Sequence, residues 1–91
     1  MDIQELRKQI DEIDNGLINL FEKRMDIAAE VARYKQENNI PVYDPVRERE
    51  ILDKLSGKVT KGRESSITAL YSLLFELSRA EQEKVMNQEA E

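Results

Sequence analysis

Histidine and cysteine are both missing from this 91-residue chain. Without cysteine there can be no disulfide and no thiol nucleophile, without histidine no imidazole base, and neither residue is there to ligate a metal. Only two prolines, Pro41 and Pro45, and three glycines, Gly16, Gly57 and Gly62, interrupt the chain, which leaves room for a few long helices and suggests no strands. No apolar leader-type segment opens the sequence and no apolar run approaches the roughly 18 residues of a membrane span, so a cytoplasmic location is expected. What the chain does have is charge. Charged residues make up 36%, with 19 acidic against 14 basic side chains and a net charge of −5. Nucleic-acid and anionic-membrane binders are net positive, so this balance argues against both. A local cluster of bases in an acidic protein points instead to a small anion. The length suits one small domain.

The most telling base is Arg24. An apolar seam runs Ile3, Leu6, Ile10, Ile13, Leu17, Leu20, then Arg24, then Ile27, Val31 and Tyr34, in steps of three and four that mark one face of a helix. A guanidinium on such a face must be paired or must have an anion brought to it, because an isolated buried charge costs far more than a lost methylene contact. No acid stands opposite it on the seam.

The spacing predicts a first helix from about Ile3 to about Asn38, stopped by Asn38-Asn39-Ile40-Pro41, with Gly16 as its one weak point. A short second helix is predicted from Asp44-Pro45, an N-cap followed by a proline at the first helical position, to near Ser56-Gly57. After the polar loop 57–62, a third helix is predicted through Ile67, Leu70, Tyr71, Leu74 and Leu77 to about Val85. The domain then covers 1–86, and 87–91 form a frayed tail or the start of a linker. A helix of some 36 residues is roughly 54 Å long, whereas a compact chain of this size has a radius of gyration of roughly 12 Å. Its own chain cannot cover such a seam, so the expected fold is all-α, with three helices per chain forming an intertwined homodimer.

Arg24 and Lys35 lie eleven positions apart, which places them within about 20° around the helix and about 16 Å apart along it, close enough to grip one small anion from two ends. The plainer reading is two solvated bases with their stems on the surface. Arg7 lies about 100° around from Arg24 and cannot share that site within one chain, although in an antiparallel dimer it could reach the partner's site. Ser78 and Gln82, at i and i+4, put a hydroxyl and an amide beside the apolar face of the third helix, as an ordinary helix edge also would. Asp44, Arg47 and Glu48 share one side of the first turn of the second helix. Asp44 also reads as a bare N-cap, and with Arg47 three positions on it is not a capping box.

Taken together, Leu6-Arg7, Ile10-Asp11-Glu12-Ile13-Asp14, Glu22-Lys23-Arg24, Val31-Ala32-Arg33-Tyr34-Lys35, the run from Ile40 to Glu50, and finally Ser78 and Gln82 resemble the all-helical, bacterial-type chorismate mutase family. The resemblance spans Leu6 to Gln82. It implies a three-helix chain in an intertwined dimer that rearranges chorismate to prephenate in phenylalanine and tyrosine biosynthesis. It also implies that Arg24, with Arg7 from the partner, grips the two substrate carboxylates, Ser78 assisting. Lys35 and Gln82 would donate to the ether oxygen, Glu48 and the backbone around Asp44 would hold the ring hydroxyl, and Arg47 would line the site. No cofactor and no metal is implied. Isochorismate pyruvate lyases are similar in fold and basic anchors, and a non-catalytic helical dimerisation or effector-binding module is the rival from a different class. Members of the family are often fused to other enzymes of aromatic biosynthesis, which the acidic run from Glu81 would suit as a linker.

Overall fold

The computed structural model describes residues 2–89, which form three α-helices and one 3₁₀ turn: α1 (Ile3–Glu37), α2 (Pro45–Leu55), the 3₁₀ turn (Ser56–Lys58) and α3 (Glu64–Glu89). Among the described residues there is no strand. Local chemistry explains each boundary. Asp2 caps α1 by accepting from the Glu5 amide at 2.9 Å. At the other end Asn39 adopts a left-handed φ of 55°. That turn lets the Ile40 amide donate to the Lys35 carbonyl at 2.8 Å and the Asn39 amide to the Gln36 carbonyl at 3.5 Å. This is the Schellman arrangement, with asparagine in the position glycine usually takes. Asp44 caps α2 through the Arg47 amide at 3.0 Å, and Pro45 follows it. α3 continues to Glu89, so residues 87–89 of the expected tail are helical, while residues 90–91 lie outside the described residues.

The packed core is small and lies at one end of the long helix. Among the described residues the buried apolar side chains are Ala28 and Ala32 of α1, Phe75 and Val85 of α3 and Leu55 of α2. Tyr71 meets Phe75 edge-to-face one turn along α3, with centroids 6.0 Å apart. The seam read from the sequence is not the face that packs within the chain, since Ile27 and Tyr34 both remain 62% exposed. The two alanines explain the difference. Their small side chains let α3 approach α1 closely over a face beside the seam, so the bulky residues are left facing outward.

Among the described residues the first half of α1 is exposed throughout. Ile10, Ile13, Leu17 and Leu20 are 55 to 63% exposed. The chain is correspondingly elongated, 54 × 27 × 14 Å with a radius of gyration of 16.6 Å, against roughly 12 Å for a compact fold of this length.

Candidate functional site

α1, α2, α3 and the loop between the first two helices enclose one cleft of about 340 Å³, beside the core. Seven of the eight residues singled out from the sequence line it. Arg24 and Lys35 come from α1, Asp44 from the loop, Arg47 and Glu48 from α2, and Ser78 and Gln82 from α3. Arg7 does not. It sits on α1 seventeen residues before Arg24, which is roughly 26 Å along the axis, and is exposed.

Arg24 is half-buried, and among the described residues no carboxylate lies within ion-pair distance of it. Its guanidinium lies 6.0 Å from the centroid of the Tyr71 ring, a cation–π contact that steadies the side chain without neutralising it. Lys35, in the last turn of α1, donates to the Val42 carbonyl at 2.7 Å and thereby ties the loop to the helix. An ammonium carries three donors, so two remain for the cleft.

Among the described residues Gln82 is the one buried polar residue, 6% exposed. Its Nε2 donates to Ser78 Oγ at 3.3 Å, and its Oε1 is buried with no partner. Amide nitrogen and oxygen are interchangeable in shape. Turned over, the amide would accept from the Ser78 hydroxyl and keep a free N–H on a residue that lines the same cleft as Lys35 and Arg24. A buried donor without an acceptor costs about 1 to 3 kcal/mol, so this arrangement favours a ligand that brings the acceptor.

Arg79 was not singled out from the sequence, and it is the largest addition made by the structure. Its Nη1 donates to both carboxylate oxygens of Glu48, at 2.6 and 2.5 Å, and its guanidinium lies 5.2 Å from the centroid of the Tyr43 ring. The hydrogen bond to Glu48 raises the Arg79 pKa above its already high ordinary value; partial burial opposes this, and the charges of Glu48, Tyr43 and Glu76 add to it. One signal was available. Arg47 faces Glu50 and Arg49 faces Asp53 within α2, each at 3.8 Å, but the positions three and four after Glu48 are Ile51 and Leu52. Glu48 therefore needed a base from outside its helix. Each of its oxygens keeps a lone pair, so it can still accept a hydroxyl.

Arg24, Lys35, Arg47 and Arg79 face Asp44 and Glu48 in this cleft. Asp44 is engaged as a cap and Glu48 by Arg79. The uncompensated cations stand at Arg24 and Lys35, so the cleft suits a small anion inside a protein that is acidic as a whole.

The chain is similar to known proteins. Residues 6–83 match the model of the family described as chorismate mutase type II. The chain is 34% identical over 88 residues to the bifunctional chorismate mutase/prephenate dehydratase of Buchnera aphidicola subsp. Schizaphis graminum, covering 94% of this chain and 23% of that protein. It is 43% identical over 53 residues to the chorismate mutase of Methanocaldococcus jannaschii, covering 58% of this chain and 54% of that one. The chain thus spans about a quarter to about half of the length of these curated relatives. A solved structure of a conserved hypothetical protein from Pyrococcus furiosus superposes with a TM-score of 0.73 at 34% identity, covering 88% of this chain and 93% of that one. With the family model matched from the first turns of α1 well into α3, over residues 6–83, the chain belongs to the chorismate mutase type II family.

Proposed function

We propose that this chain catalyses the rearrangement of chorismate to prephenate in the cytoplasm, as an intertwined homodimer in which Arg7 of each protomer completes the partner's cleft. The observation that carries this reading is Arg24, a cation held on the cleft wall by an aromatic ring and paired with no carboxylate among the described residues. Chorismate is a small dicarboxylate. Arg24 would take one carboxylate, with Ser78 assisting, and the partner's Arg7 the other. Gripping both selects the folded conformer and removes freedom before reaction.

The rearrangement is a concerted pericyclic step and calls for no nucleophile and no proton relay. As the carbon–oxygen bond breaks, the ether oxygen gains negative charge, and donors fixed at that point stabilise the transition state more than the ground state. Lys35 and the amide of Gln82 would supply them. Glu48 and the backbone around Asp44 would meet the ring hydroxyl, and Arg47 would line the entrance.

The exposed seam supports the dimer. A compact monomer of this mass would expose about 5,500 Å², whereas the single chain exposes 7232 Å². The excess of about 1,700 Å² per chain is in the range that obligate dimers bury. Arg7 lies exposed on the first half of α1, and in this reading an antiparallel partner carries it across.

The test is direct. Purified protein is expected to consume chorismate and release prephenate; release of pyruvate from isochorismate instead would favour the lyase, and turnover of neither would favour a binding module. Gln82→Glu adds a pH signature. The new carboxyl can donate only when protonated, so activity of the variant is expected at acid pH and lost as pH rises through its pKa, while the amide of the parent does not titrate. A variant whose pH–rate profile matches the parent's would contradict the role of Gln82.

A further inference from the structure

The Glu48–Arg79 pair bears on which substituent the cleft accepts at its α2 end, an inference that rests on the reading above of Glu48 as the group meeting the ring hydroxyl. The side chains of Arg79 and Glu48 are 29% and 20% exposed, so their charges are partly shielded from water. A lone carboxylate there would attract an ammonium substituent more strongly than a hydroxyl. Held by a guanidinium through both oxygens, it stays a hydrogen-bond acceptor but offers no net negative charge. Among the described residues no other base pairs with Glu48, since Arg47 and Arg49 face Glu50 and Asp53.

We propose that Arg79 is a specificity-determining, positioning residue, which by neutralising and fixing Glu48 makes the cleft select a neutral hydroxyl and reject a cationic amine at that end. The guanidinium also lines the cleft itself, so its charge opposes a cationic substituent directly.

The experiment compares chorismate with its analogue bearing a primary amine in place of the ring hydroxyl, both on the same preparation. The ratio of the two kcat/KM values is then independent of how much enzyme is folded. In Arg79→Met the ratio is expected to shift toward the amine by on the order of tenfold or more, the low end for close charge pairs. Arg79→Lys keeps the charge and is expected to hold the ratio within about threefold of the parent. Adding Glu48→Gln to Arg79→Met removes both charges and is expected to return most of the shift. A ratio that Arg79→Met leaves unmoved overturns the proposal, as does an equal shift in Arg79→Lys.

A measurement on the parent protein guards against variants that fail to fold. The amine-to-hydroxyl ratio is expected to rise as pH is raised through the titration of the analogue's amine, because the charge that Arg79 opposes is lost. A flat ratio overturns the proposal. The other charged or titratable groups around the pair are Tyr43 and Asp44 in the loop, Arg47 on α2, Glu76 on α3, and Lys35 and Arg24 on α1. They are the same in the parent and in Arg79→Met, so the difference between the two proteins isolates what Arg79 supplies. Parent protein that turns over neither substrate refutes the underlying function, and the role of Arg79 falls with it. Turnover of chorismate with an unmoved ratio refutes the role of Arg79 alone.

Discussion

Lys35→Met is expected to lower kcat for chorismate by about a hundredfold or more, the effect typical of removing one donor aimed at developing oxygen charge. Lys35 closes the end of the cleft from the last turn of α1, where a cation is also favoured by the helix carbonyls. Its bond to the Val42 carbonyl fixes the ammonium in place. Methionine keeps the stem and loses the charge. The same change breaks the tie to the loop, a loss of about 1 kcal/mol in stability, so helicity and melting temperature are to be measured alongside turnover. A folded Lys35→Met protein that converts chorismate at the parental rate would remove Lys35 from the mechanism.

Arg24→Met is expected to separate activity from stability. Two charge-assisted hydrogen bonds to a substrate carboxylate would be lost, lowering kcat/KM by at least about a hundredfold. The fold loses little, because Arg24 has no ion-pair partner among the described residues to leave behind, and a thioether packs well against Tyr71. Removing an unpaired, half-buried charge is therefore expected to leave the melting temperature unchanged or to raise it. An arginine serving the fold would behave oppositely, its loss lowering the melting temperature while turnover in the surviving folded protein stayed near the parental value.

Features set by short-range chemistry were legible in the residues themselves. Asn38-Asn39 stops α1 because asparagine tolerates the left-handed turn, and Asp44-Pro45 starts α2 because an aspartate cap and a proline suit its first turn. The eleven-residue step from Arg24 to Lys35 and the four-residue step from Ser78 to Gln82 translate directly into one cleft wall and one side-chain contact. Long-range packing was less visible. Ala28 and Ala32 carry little hydrophobic signal, yet α3 closes on them because they are small, while the bulkier Ile27 stays outside. Arg79 and Glu48 are 31 residues apart, and no helical period connects them. The position of Arg7 is of a third kind, since in the proposed dimer it would gain a meaning for the site only through a second copy of the chain.

That second copy is the centre of the account, and subunit complementation tests it most directly. Arg7→Ala and Lys35→Met proteins, each inactive alone, are to be unfolded together, refolded and assayed for chorismate turnover. Random pairing makes half of the dimers mixed, and each mixed dimer rebuilds one intact site of two, so about a quarter of the parental activity is expected to return. A refolded mixture no more active than its separate components would contradict a cleft built from two chains.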